Sequence, residues 1–241
     1  MITVTVGAQH KSFLVHEGIL TQTSMYFKNQ YSKRWGVPNL MGLPREDIEE
    51  QTFACYSGWL YDGNLDLSAS NDLSDENDPQ GSLRFCELFK LYILADCIRD
   101  TAFCNLIVDH VVELIQLTHY RPTPDAYRMA FERTAPNSKL CQLLVDDALS
   151  GTDPNWLEGQ LDVFPKEFID NLVVGWARAS WDEGLVYEQI ANGYGERCKY
   201  HEHDEVAVKG EACFEVPKVK EVEVKKAEVK KAAKKRLRYW S

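Results

Sequence analysis

The chain changes its hydrophobic period once within its first thirty-one residues, and that change limits what it can fold into. Ile2, Val4 and Val6 alternate with Thr3 and Thr5, the pattern of a strand with one buried face. "GAQHK" supplies a turn and "SFLV" a returning strand, so the opening reads as a hairpin. Past His16 the rhythm becomes helical, with Ile19, Leu20, Thr23, Phe27 and Tyr31 at i, i+3, i+4 spacing. Two polar residues sit at the joints. His16 stands where the strand stops, and Ser24 falls between two short helices, where its hydroxyl can cap the second by accepting a backbone N–H.

Downstream, a loop around "WGVPN" precedes "LMGLP", read as a third strand ended by Pro44. "REDIEEQTFACYSGWLYDG" opens with acids and closes on Gly63, the charge asymmetry and terminal glycine of a helix, with Phe53, Tyr56 and Leu60 as its buried stripe. "NLDL" reads as one more short strand, and Ser68 to Ser82 as an exposed acidic loop. Two strong helices follow, one lined by Leu88, Leu91, Tyr92, Ala95 and Ile98, the next by Phe103, Ile107, Val111, Leu114 and Ile115. "HYRPTP" breaks the pattern. Beyond it "DAYRMAFERTA", "SKLCQLLVDDALSG" and "PKEFIDNLVVGWARASW" read as further helices, and no repeat of solenoid length is present.

At 241 residues, 44% hydrophobic and 27% charged, the chain has the composition of a soluble folded domain with appendages. A body of about 200 residues buries roughly 70% of its unfolded surface, so disulfides are not needed. Seven cysteines, an odd number mostly set in helical patterns, fit a reducing cytosol or nucleus. The first residues form a strand and not a secretory leader, and no run approaches the roughly 18 apolar residues of a spanning helix, so no membrane partner is expected. The net charge of −10 hides a division. Residues 217–241 carry ten Lys or Arg against three Glu, a balance of +7, which leaves −17 on residues 1–216. The body should repel nucleic acid, while the tail can attract acidic partners.

The order of motifs carries a resemblance. Val6-Gly7; Phe13, Val15 and His16; Leu20, Ser24, Tyr26 and Phe27; Leu43 and Pro44 with Glu46 and Asp47; Phe53, Trp59, Leu60, Tyr61 and Gly63; and Leu91, Tyr92, Leu94, Ala95 and Asp96 follow one another within one domain length. Together they resemble the BTB/POZ domain over residues 1–117, and the WLYDG form, acidic insertion and helical C-terminal part look most like its fungal members. The resemblance implies an α+β fold, a short three-stranded sheet with a helical cluster, followed by a helical region at 118–182. An irregular Cys/His-containing segment at 183–216 and a basic, disordered tail at 217–241 complete the expected organisation.

It also implies a protein–protein interaction module that is not an enzyme, acts as scaffold or adaptor, and partners with itself as a homodimer and with other proteins. The segment from Phe13 to Phe27 then lies near the dimer-forming face, which makes Phe13, His16, Ser24, Tyr26 and Phe27 the interface candidates, the last three at or beside a helix junction. Self-swapping members carry extra elements ahead of the first core strand. This chain begins at that strand, a departure from the pattern that leaves the geometry of the expected dimer open. Ubiquitin-ligase adaptors of the family often carry a hydrophobic-x-Glu motif where this chain has Leu65-Asp66-Leu67, so binding to a cullin is an alternative that the motif does not support.

Chemistry-bearing motifs are few. The sequence holds no Gly-x-Gly-x-x-Gly, phosphate loop, Gly-x-Ser-x-Gly or His-Glu-x-x-His, and no cofactor is expected. One constellation looks metal-like: Cys198, His201, His203 and Cys213 make a chemically complete tetrahedral set for zinc. Their spacing matches no standard finger, and an ordinary packed segment is the simpler reading; a zinc-dependent enzyme is the functional alternative from another class. In the tail, Lys234, Lys235, Arg236 and Arg238 fit the short basic pattern read by import receptors, giving a cytoplasmic or nuclear location.

Overall fold

A computed structural model describes residues 1–32, 40–67, 82–118, 120–135, 137–151, 157–181 and 197–203. The chain divides into Met1–Val206 and Ala207–Ser241, and every described residue belongs to the first unit. The loop expected around Trp35 to Asn39 and the acidic loop from Ser68 to Gly81 lie outside the described residues, as does the tail.

The alternation of the first residues forms the expected hairpin. β1 (Ile2–Val6) pairs antiparallel with β2 (Lys11–Val15), in a register that runs from Ile2 opposite Val15 to Val6 opposite Lys11. The turn between them needs left-handed backbone at Gly7 (φ 72°) and His10 (φ 53°), closed by the His10 N–H donating to Gly7 O at 3.0 Å. β3 (Leu40–Gly42) joins the other edge of β1 in parallel, giving the order β2-β1-β3. A parallel partner requires a crossover, which here contains α1 (Glu17–Thr23) and α2 (Met25–Ser32). Ile2, Val4, Val6, Val15 and Met41 share the buried face of the sheet, as period 2 demands.

Against that face stands the helical layer: α3 (Glu50–Asp62), α4 (Ser82–Ile98) and α5 (Thr101–Thr118). α4 is central. From Leu91 to Ala95 every residue is buried, which only a helix enclosed on all sides can accommodate. Aromatic rings link the layers, Phe13 to Phe53 at 5.0 Å, Phe53 to Tyr56 at 5.8 Å, and Tyr56 to Phe103 at 5.0 Å between centroids. Edge and tilted contacts of this kind add about 0.5–1.5 kcal/mol per pair beyond the area they bury.

α6 (Pro124–Arg133), α7 (Lys139–Gly151) and α8 (Lys166–Trp181) extend the same core, with α6 packed on α4 and α7 on α8. Tyr127, Phe131, Phe164 and Phe168 form a second aromatic group at their centre. Gly175 permits the α7–α8 contact, because a Cβ there would fall 2.5 Å from Leu149 Cδ1.

Two local expectations are corrected. The helix expected from Arg45 begins at Glu50, since residues 45–47 are committed elsewhere. Arg45 grips Asp47 with two N–H groups at 3.0 and 2.9 Å and donates a third to Arg133 O at 2.9 Å, while Arg133 Nη2 returns to Asp47 Oδ2 at 2.8 Å. These bonds tie the stretch before α3 to the C-terminal end of α6. "NLDL" is not a strand: Leu67 is buried among the helices, and Asp66 O accepts the Cys55 thiol at 3.1 Å. The rest of α3 ends as read, with Gly63 left-handed (φ 68°) and its N–H on Trp59 O at 2.8 Å.

Candidate functional site

The strand-to-helix corner is built around two side-chain devices. At its first joint, His16 caps α1 in extended backbone (φ −69°, ψ 126°), and its N–H donates to the Tyr61 hydroxyl at 2.9 Å. That same hydroxyl lies 2.8 Å from His16 Nδ1. One phenol therefore serves both a backbone donor and a ring nitrogen, and holds the imidazole against α3 with its edge toward the tyrosine ring. His16 itself is exposed, so the device fixes a surface ring.

At the second joint Ser24 is fully buried and works in two directions. Its hydroxyl donates to Ile98 O at 2.6 Å and accepts from the Phe27 N–H at 3.3 Å. Beside it the Met25 N–H donates to Arg99 O at 3.2 Å. The α1–α2 junction is thereby fastened to the α4–α5 corner. That corner is left-handed at Arg99 (φ 52°), and Asp100, fully buried, starts α5 by accepting the Phe103 N–H at 3.1 Å and the Tyr56 hydroxyl at 2.8 Å. Burial, with the Asp100 carboxylate next to it, drives the Tyr56 hydroxyl far above the ordinary tyrosine range, so it stays a donor.

Of the five interface candidates, the structure therefore removes two from the surface. Phe27 has 0% exposure and Ser24 1%, because both point into the α1–α2–α4 packing; neither can meet a partner directly. Phe13 is half-buried against Phe53. Tyr26 is half-buried, with its hydroxyl on Gly42 O at 2.9 Å. Apolar residues that the reading missed are more open. Leu14 (61% exposed) and Leu40 (51%) flank Thr3 across the outer sheet face, and Met25 (47%) opens α2. Leu14 carried a signal, since an apolar residue at the parity opposite to Phe13 and Val15 must face outward.

The Cys/His segment forms a clasp. Residues Arg197–Tyr200 make one 3-10 turn, and the chain continues to His203 across α5 and α7. Asn105 holds it with its side-chain amide, Nδ2 donating to Glu202 O at 3.0 Å and Oδ1 accepting the Glu202 N–H at 2.8 Å. The Tyr200 hydroxyl donates to Asp146 Oδ2 at 2.9 Å, and Lys139 Nζ donates to Lys199 O at 3.0 Å. His201 is buried with Nε2 3.2 Å from Asp109 Oδ1, while Cys198 Sγ is 3.0 Å from His203 Nε2. Of the zinc candidates, Cys198 and His203 thus meet, His201 engages a carboxylate, and Cys213 lies outside the described residues. Among the described residues no three His, Cys, Asp or Glu side chains converge as a metal centre. The tail candidates Lys234, Lys235, Arg236 and Arg238 also lie outside them. No helix among the described residues is long and apolar enough to cross a membrane.

No protein-family model matches the chain, and comparison with curated proteins gives no match either.

Proposed function

We propose that the protein is an interaction module of the BTB/POZ type, which associates with a second copy of itself and acts as a scaffold or adaptor. The observation that carries this reading is the order of elements, β1-β2-α1-α2-β3-α3-α4-α5 in sheet order β2-β1-β3, with several of the resemblance motifs at joints of that frame and the Leu91–Asp96 motif inside its central helix. His16 and Tyr61 fasten the corner, Ser24 the helix junction, and Gly63 the end of α3. Such residues are architectural: they shape the surface, and the binding role rests on what that surface exposes. Open apolar side chains at Leu14, Leu40 and Met25 supply that surface with contacts a partner can cover.

Multi-angle light scattering tests the self-association. A dimer mass is expected at tens of micromolar, roughly the range where weak specific contacts saturate. Purely monomeric protein overturns the proposal, and Met25→Glu compared with Leu14→Glu tells whether the helical or the sheet face is used. The basic tail is proposed as a nuclear address: replacing Lys234, Lys235, Arg236 and Arg238 by Ala should move a tagged full-length protein from nucleus to cytoplasm. An unchanged distribution rejects that role.

A further inference from the structure

The clasp at the C-terminal side of the body places a nucleophile against a base. Cys198 Sγ and His203 Nε2 are 3.0 Å apart, and both side chains are half-open to solvent. The contact does not depend on a loose segment. The His201 N–H closes the turn on Cys198 O at 3.3 Å, Asn105 fixes the backbone of Glu202, and Tyr200 is pinned to Asp146, so the residues between the two members of the pair are held by α5 and α7. Four other thiols among the described residues have different surroundings. Burial pushes Cys55 and Cys97 up to about 11 and Cys104 and Cys141 upward as well, and Cys55 spends its proton on the Asp66 carbonyl. A thiol that can hand its proton to an adjacent imidazole is the better nucleophile.

We propose that Cys198 is a site of oxidation by hydroperoxides, with His203 as its base. With the His203 ring proton on Nδ1, Nε2 takes the thiol proton and the sulfur attacks the outer peroxide oxygen. The O–O bond breaks, an S–O bond forms, and the departing alkoxide or hydroxide takes the proton back from Nε2. Cysteine becomes sulfenic acid and the peroxide becomes alcohol or water, with sulfur oxidised and peroxide reduced by two electrons. The added oxygen enters a contact now 3.0 Å long, so the His203 ring has to move.

The test uses the full-length chain, brief exposure to hydrogen peroxide, trapping with dimedone, and peptide mass spectrometry. Cys198 is expected to be labelled ahead of Cys55, Cys97, Cys104 and Cys141. His203→Gln should slow its labelling by about tenfold or more, as loss of a positioned base does. Free imidazole should restore part of the rate in His203→Ala, a rescue that a purely structural histidine would not show. The assignment fails if Cys198 in the unaltered protein is not trapped ahead of Cys55, Cys97, Cys104 and Cys141, or if His203→Gln with an unchanged melting curve labels equally fast. It also fails if Cys198 reacts only after a chelator has removed bound zinc, which would make the pair part of a metal site.

Discussion

Asp100 and Ser24 show how much of this fold hangs on single buried polar groups. Asp100→Ala strands both the Tyr56 hydroxyl and the Phe103 N–H, whereas Ser24→Ala strands the Ile98 carbonyl and one α2 donor. Denaturant titration should give a loss of about 3 kcal/mol for Asp100→Ala and about 1–2 kcal/mol for Ser24→Ala. Two other aspartates titrate in opposite directions. The Arg45 bonds hold Asp47 below the usual carboxylate range, so its contribution to stability is present above about pH 4 and is lost as pH falls through its folded value. Burial raises Asp147 despite Arg121, so the folded state favours its protonated form. The contribution of Asp147 is full below about pH 4 and is lost as pH rises through the raised value. Carboxyl NMR titration of the native protein should place the two midpoints on either side of about 3.9. Midpoints on the same side would show that the Arg45 or Arg121 geometry is wrong.

Among the elements, α4 and α5 were the most legible because their apolar spacing is local and continuous, and the β1–β2 hairpin because period 2 needs no tertiary information. The start of α3 was not. Its acids read as a helical first turn, yet Arg45 finds better partners in Asp47 and in Arg133, 88 residues away. "NLDL" failed similarly, since two leucines around an aspartate suit a strand until a thiol claims the Asp66 carbonyl. For the candidate site, the sequence located the corner and its joints but could not say which way the side chains turn; Phe27 went inward because α4 lies beneath it. The α7–α8 contact was equally hidden, as it needs a missing Cβ opposite Leu149. Gly175→Val should lower stability by about 2 kcal/mol, since a branched side chain must displace Leu149 and the gain in helix propensity over glycine is smaller. Leu149→Ala in the same chain should recover part of that loss. Additive penalties in the double variant would contradict the close approach.

Taken whole, the chain opposes its own association electrostatically while its apolar residues favour it. Two copies, each at −10, repel, and residues 1–216 repel more strongly at −17. The proposed self-contact through Leu14, Leu40 or Met25 is therefore expected to tighten with salt, because screening weakens the repulsion and leaves apolar burial intact. Calorimetry should show a melting temperature that climbs with protein concentration, as linked dissociation requires, and sedimentation should show a dissociation constant that falls between about 0.05 and 0.3 M salt. A concentration-independent melt would mark a monomer.

The amide of Asn105 reads the clasp as a neighbouring strand would, through one N–H and one C=O of the same residue, and ignores what that residue's side chain is. Position 202 is thereby released from the task of docking, and its carboxyl, raised by burial and by Asp96, is if anything an electrostatic cost there. Drift in sequence at 202 can then proceed among all residues that keep a backbone N–H, with proline alone forbidden by the grip, while position 105 has almost no freedom at all.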